Sequence, residues 1–390
     1  MSDNKAYIVA AHRTPIGKSG KRGIFKNTRA EDMMTFIIKS TLEKIPALKP
    51  EQVDDVIVGC SFPEGTMGFN IARVVALIAG LPEDVPGVTV NRFCSSGLQA
   101  IAYATQQIEA GLGGDDVILA GGVEMMSSVP LGGNMPRPYP DPRYGYIYTP
   151  MGITAENVAN RYKISREEQD EFAYHSHMKA KAARDGGLYK EIIPAPATIF
   201  EKGKKTSVIV EHDQGIRDQT TVEGLAKLRP VFAKNGSVTA GNSSQTSDGA
   251  AIAVVMSGKK VKELGLKPVA RLVNFTAVGC DPTEMGVGPR YAIPKLLQVA
   301  GKQVKDIGLF EINEAFASQA LYSIREVGID QSKVNIYGGA VALGHPLGCT
   351  GAKLCATLLS GMRAEGVKYG VESMCIGGGM GAAGLFELIA

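Results

Sequence analysis

Short apolar runs alternate along this chain with longer stretches of helical period, the pattern of strands covered by helices. Residues 54–59 (DDVIVG), 115–121 (DDVILAG), 307–312 (IGLFEI) and 370–375 (GVESMC) read as buried strands, each ending near Gly, Cys or a polar residue. The apolar run 6–11 reads as the first strand. Leu98, Ile101, Ala102, Thr105 and Ile108 recur at helical spacing behind Ser95-Ser96-Gly97, and residues 315–324 make a second helix with an apolar face. The unusual residues therefore sit at strand-to-helix junctions.

From about residue 127 to residue 234 this alternation lapses. Met135 to Pro140 is rich in Pro and Tyr, and Ser165 with Glu168 forms a capping box ahead of an amphipathic helix that stops at Gly186-Gly187. The segment reads as an insertion that covers something. Strand and helix patterns resume near Val238. The expected organisation is α/β, with two similar halves around the insertion: 1–126 with 235–268 as the first half, 127–234 as the insertion and 269–390 as the second half. Sequence similarity between the halves is too faint to mark a repeat.

With 390 residues and 44% hydrophobic content the chain can bury a substantial core, which excludes a disordered or fibrous protein. Its 42 basic and 39 acidic residues are mixed along the length, giving no support to nucleic acid as a partner. The six cysteines lie without CxxC spacing, so no zinc knuckle or redox pair is signalled and reduced thiols are expected. No apolar stretch approaches the roughly 18 residues of a transmembrane segment. The first apolar run is too short for a signal peptide and the last residues are not a Ser-Lys-Leu type address, so a cytoplasmic protein is expected.

Three elements carry candidate chemistry. VNRFCSSGL places Cys94 between a β-branched strand and an apolar-periodic helix, where the positive end of the helix dipole favours a thiolate. The small residues that follow would let a substrate approach, as in a nucleophile elbow; the alternative is ordinary packing of a commonly buried residue. GGAVALGHPLG wedges His345 between glycine and proline on a rigid backbone that suits a base, although a loop histidine can also be merely structural. CIGGGMG sets Cys375 at a strand end before glycines whose N–H groups could face a developing oxyanion; the alternative is a tight turn.

Other motif matches fail on context. Gly379, Gly381 and Gly384 satisfy GxGxxG, but the chain ends at Ala390 before a dinucleotide site could be completed. Gly17-Lys18-Ser19 resembles the end of a phosphate loop, yet His12 stands where the first glycine belongs. His175 and His177 are two apart on a helix and face different sides, so no metal site is expected.

Taken together and in this order, VNRFCSSG, NEAFASQA at 313–320, GGAVALGHPLGCTGA and CIGGGMG resemble the thiolase family over nearly the whole chain. Residues 149–157 and 239–250 look like its loop domain and pantetheine-contacting region. The resemblance implies the thiolase fold, two similar α/β halves layered α-β-α-β-α with an inserted CoA-binding loop domain. It implies Cys94 as the acylated cysteine, His345 as its base and Cys375 as the second cysteine, which moves a proton at the substrate α-carbon or the incoming thiol. Asn313, through a water, would join His345 in one oxyanion hole, and the N–H groups of Cys94 and Gly377 would form the other. Ser244 and Met151 match pantetheine contacts, and Arg217 a contact to the nucleotide end of CoA.

CoA is then a substrate, with no permanently bound cofactor. Pro150-Met151-Gly152 departs from the His-Met-Gly of biosynthetic acetoacetyl-CoA thiolases, so the resemblance favours the degradative branch that cleaves 3-ketoacyl-CoA in β-oxidation. The alternatives are a biosynthetic thiolase, a decarboxylating ketoacyl synthase, disfavoured by Cys375 and NEAFA, and a non-catalytic acyl-CoA or lipid-binding relative. The family also implies a homodimer or homotetramer and allows a partnership with a hydratase/dehydrogenase subunit.

Overall fold

The computed structural model describes residues 1–134, 138–201 and 204–389; Met135 to Arg137 of the Pro- and Tyr-rich stretch, and Ala390, lie outside the described residues. The first half carries β1 (Ala6–Arg13), β2 (Gly17–Lys18), β3 (Asp55–Gly59), β4 (Gly87–Val90) and β5 (Val117–Met125). A hairpin of β6 (Ala195–Glu201) and β7 (Lys204–Val210) forms its own two-stranded sheet. β8 (Ser247–Ser257) returns to the first half, and β9 (Ala270–Gly279), β10 (Leu309–Ile312), β11 (Tyr369–Ile376) and β12 (Met380–Leu388) build the second.

The strand order β4-β3-β5-β8-β1 is followed directly by β9-β12-β11-β10. β3 is parallel to β4 and β5, while β8 runs antiparallel to β5 and β1. The second half repeats this plan: β10 is parallel to β11, β12 is antiparallel to β11 and β9, and Val334 bridges Phe310 in parallel where β4 has its counterpart. The two sheets are continuous rather than separate. They join at the single pair Ile8 and Ala270, where the Val269 N–H donates to the Ile8 carbonyl at 2.8 Å. β1 and β9 are each the last strand of their half, and their open edges satisfy one another there.

Helices α1 (Ala30–Glu43) and α2 (Ile71–Ile78) cover the outer face of the first sheet, and α3 (Ser96–Ala110) lies on its inner face. The insertion carries α4 (Met151–Arg161), α5 (Arg166–Asp185) and α6 (Val222–Ala226), and α7 (Gly258–Glu263) leads to the second half. There α8 (Gly288–Val299) and α9 (Ala317–Val327) lie outside, the short α10 (Ala340–Leu343) precedes His345, and α11 (Thr350–Glu365) lies inside. The result is the α-β-α-β-α layering of the thiolase fold, with α3 and α11 packed on each other at the centre.

Local chemistry explains the elements that matter. At the start of α5, Ser165 Oγ accepts the Glu168 N–H at 3.2 Å while the Glu168 carboxylate accepts the Ser165 N–H at 2.7 Å, the capping box read from sequence. α3 ends at Gly111, whose φ of +66° suits a residue without Cβ. Leu98, Ile101, Leu354, Leu358 and Met362 belong to the apolar core that α3 and α11 share with the inner faces of the sheet, each burial contributing about 1.5–3 kcal/mol. The helices cross closely because Gly97 has no side chain. A Cβ there would stand 2.6 Å from the Ala352 nitrogen and 3.1 Å from the Gly348 carbonyl. Gly97, three residues after Cys94, thus admits another helix. Among the described residues no helix is long and apolar enough to cross a membrane.

Candidate active site

The parallel strands deliver the unusual side chains at their carboxyl ends. Cys94 follows β4, Asn313 follows β10, Cys375 is the penultimate residue of β11 and Glu124 that of β5. His345 comes from the loop between α10 and α11, and the turn containing Cys94 packs against both β11 and the 347–349 turn. Residues from both halves of the chain therefore meet across the α3–α11 crossing.

Cys94 occupies a 3₁₀ turn, Phe93–Ser95, immediately before α3. Phe93 holds φ at +44°, costly for a bulky residue by about 1–3 kcal/mol and maintained only if the surroundings enforce it. They do so by hydrogen bonds. The Phe93 N–H donates to Asn91 Oδ1 at 2.8 Å, and Ser96 Oγ donates to the Phe93 carbonyl at 2.6 Å while accepting the Arg92 N–H at 2.9 Å. The N–H groups of Gly377 and of Cys94 itself face the sulfur and favour its thiolate. Burial outweighs them, and with the nearby Glu124 charge it pushes the thiol up to about 12. Desolvation therefore reverses the net effect expected of the helix terminus.

His345 is buried, and burial pulls its imidazole down to about 3, so the ring rests neutral. Its tautomer follows from the hydrogen-bond chain. Thr350 Oγ1 donates to the Pro346 carbonyl at 3.1 Å and so is free to accept from His345 Nδ1–H, 2.6 Å away. Nε2 is left with its lone pair, which accepts from Asn313 Nδ2 at 3.3 Å. The backbone N–H of His345 donates to Ser247 Oγ at 3.1 Å, and any Cβ on Gly344, at φ +103°, would collide with that oxygen. Cys375 is fully buried; burial and then proximity to Cys94 raise its thiol well above the ordinary range.

The other sequence candidates are brought to the rim of this cluster or beyond it. Met151, at the start of α4, packs on the apolar group of Cys375, Met285, Ala315 and Phe316. Ser244 is half-buried, its N–H donating to the Ala315 carbonyl at 3.0 Å beside Asn313. Arg217 is exposed and farther out, its N–H donating to His177 Nδ1 at 3.2 Å. Lys18, from the discarded phosphate-loop match, lies close enough to feel the charges of Arg217 and Arg22, so three cations gather there.

Sequence reasoning missed three supporting residues. Thr350 sets the His345 tautomer, and nothing in its local pattern signals that. Glu314, in the NEAFASQA motif but assigned no role, accepts from Ser176 Oγ at 2.7 Å, Asn335 Nδ2 at 2.8 Å and the Val341 N–H at 3.1 Å, tying the insertion to the loop before His345. Glu124 is the one charge in the otherwise apolar VILAGGVEM strand, which was a usable signal. Its carboxylate accepts the N–H groups of Ser61 at 2.8 Å, Phe62 at 3.1 Å and Gly348 at 2.7 Å.

Known proteins match this chain over nearly its whole length. The thiolase N-terminal domain matches residues 6–259 and the thiolase C-terminal domain residues 266–388. A 3-ketoacyl-CoA thiolase of Bacillus subtilis (strain 168) is 49% identical over 98% of this chain and 99% of its own length. The peroxisomal 3-ketoacyl-CoA thiolase of Homo sapiens is 48% identical over 97% of this chain and 90% of its own. The crystal structure of the Bacillus anthracis acetyl-CoA acetyltransferase superposes with a TM-score of 0.88 at 41% identity, covering 99% of both chains. The chain belongs to the thiolase family.

Proposed function

We propose that this chain cleaves 3-ketoacyl-CoA with CoA, giving acetyl-CoA and a shortened acyl-CoA, with Cys94 as nucleophile, His345 as its base and Cys375 as the second acid/base. The observation that carries the reading is that two buried cysteines close enough to feel each other's charge, a neutral imidazole whose Nε2 keeps its lone pair, and two N–H groups facing the Cys94 sulfur are gathered on segments that pack together. Nε2 of His345 takes the Cys94 proton as sulfur attacks the 3-keto carbon. The bond between C2 and C3 breaks, and the Cys375 thiol protonates C2 to release acetyl-CoA. Cys375 then takes the proton of incoming CoA, whose sulfur attacks the acyl group, and His345 returns a proton to Cys94. Two separate acid/base groups are needed because both protons are in play.

Charge on the carbonyl oxygen is met by the N–H groups of Cys94 and Gly377, and charge on the enolate oxygen by Nε2–H of His345 with Asn313 acting through a water. With the free thiol near 12 and the imidazole near 3, the resting pair is neutral. The proton moves only when substrate and oxyanion donors stabilise the product of that transfer. CoA is a substrate here, and the chemistry asks for no resident cofactor.

The insertion, 127–234, is the CoA-binding domain of this reading, with Met151 and Ser244 at the pantetheine arm. Lys18, Arg22 and Arg217 stand at the phosphates; a KM for dephospho-CoA equal to that for CoA would remove them from the 3′-phosphate. A second copy of the chain pairs at β4, the open sheet edge, flanked by exposed Phe69, Leu77, Ile78 and Val88. Sedimentation at the mass of one chain would refute that pairing. Six free cysteines suit the reducing cytoplasm, which cell fractionation tests.

The deciding experiment follows CoA-dependent loss of the enolate absorbance of 3-ketoacyl-CoAs of increasing length in wild type and Cys94→Ala. Turnover from short to medium chains that vanishes in the variant supports the reading. Turnover of acetoacetyl-CoA alone moves the chain to the acetyl-CoA acetyltransferase activity named for the Bacillus anthracis structure, and no turnover with wild type sinks both.

A further inference from the structure

Glu124 lies at the meeting of two hydrogen-bond chains. One runs toward the nucleophile. The carboxylate holds the Ser61 and Phe62 N–H groups; the Ser61 carbonyl accepts from Asn91 Nδ2 at 2.9 Å, and Asn91 Oδ1 in turn holds the Phe93 N–H beside Cys94. The other runs toward the base. The same carboxylate holds the Gly348 N–H in the turn after His345. No other side chain among the described residues accepts hydrogen bonds from both segments.

The group is fully buried, and moving a carboxylate out of water is costly. Three N–H donors offset part of that cost, and burial still holds its carboxyl above the usual carboxylate range. Apart from the Cys60 sulfur, itself placed to donate at 3.9 Å, its partners are N–H donors, so the geometry calls for the ionised form. Its negative charge also opposes a thiolate at Cys94.

We propose that Glu124 is a positioning residue for the reaction: its carboxylate sets the spacing and orientation of Cys94 and His345 by joining the two loops that carry them. The inference rests on the assignment of Cys94 and His345 as nucleophile and base. A carboxamide at this position would turn an NH₂ toward N–H donors, so at least one of the three bonds is lost. Displacement of the pair by an ångström suffices for a loss on the order of 10²-fold.

The test uses the full-length enzyme with Glu124→Gln, measuring kcat, KM for CoA and the pH profile of Cys94 alkylation by iodoacetamide. The expected result is a kcat lowered on the order of 10²-fold, a near-unchanged KM, and an alkylation profile moved to lower pH because the opposing charge is gone. A second variant keeps the charge and breaks the contact. In Gly348→Ala the new Cβ would lie 2.7 Å from Cys60 Cα and 2.8 Å from Glu124 Oε2, so the turn must move. Its kcat should fall without an acid shift of the profile. Wild-type kcat in either variant overturns the inference, as does a loss in Glu124→Gln with an unmoved alkylation profile, which marks a merely structural role. If alkylation of Cys94 leaves wild-type thiolysis intact, the underlying assignment fails first and takes this inference with it.

Discussion

Replacing Thr350 by valine isolates the one hydrogen bond that selects the tautomer of His345. Valine nearly matches threonine in shape, so the change opens no cavity and removes a single oxygen. The Pro346 carbonyl that Thr350 caps keeps the Cys349 N–H at 2.9 Å and is not orphaned. Nδ1–H of His345, in contrast, loses its 2.6 Å partner inside a buried site. An unpaired buried donor costs about 1–3 kcal/mol. That cost falls only on the tautomer with a basic Nε2, so the ring shifts toward carrying its proton on Nε2, where it cannot accept one from Cys94.

At 1.36 kcal/mol per factor of ten, the expected loss in kcat/KM is about 5- to 150-fold. It is read from initial rates of 3-ketoacyl-CoA thiolysis, with thermal unfolding measured alongside so that both proteins are compared fully folded. Thr350→Ser, which retains the hydroxyl, should recover most of the rate. Unchanged kcat/KM in the valine variant, or an equal loss in the serine variant, would refute Nε2 as the atom that takes the proton.

Two further outcomes follow from packing and titration. Gly97→Ala places a Cβ 2.6 Å from the Ala352 nitrogen, where backbone must yield; the variant should lose about 1–3 kcal/mol of stability in urea unfolding together with part of its kcat, and a wild-type midpoint would show that the α3–α11 crossing is looser than described. Burial pulls His12 from 6.5 to about 4 in the folded protein, so the unfolded chain binds more protons between those values and stability drains away as pH falls through that window. His12→Gln removes this drain. Its melting temperature relative to wild type should therefore improve from about pH 8 to about pH 5, and a pH-independent difference would contradict the sign.

Local pattern made much of this protein readable. The capping box of α5, the Gly186-Gly187 that stops it and the apolar periods of α3 and α9 depend on residues within a turn or two of one another, and all appear where the pattern put them. So do the strands at β3, β5, β10 and β11. The motifs around Cys94, His345 and Cys375 were legible as candidates because each of the three sits in a short segment of unusual composition.

What the tertiary structure alone decided depends on residues far apart in the chain and on the water they exclude. The repeat of strand order in the two halves is carried by backbone pairing, which many side-chain patterns satisfy. Lys18 finds Arg217, Thr350 acquires its role only once His345 turns back over it, and Glu124 joins loops 60–62 and 347–349 across more than half the chain. The resting state of Cys94 was also beyond local reading. A helix terminus favours thiolate in any sequence, but the burial that reverses it is a property of the packed core, created when α3 and α11 close over the site.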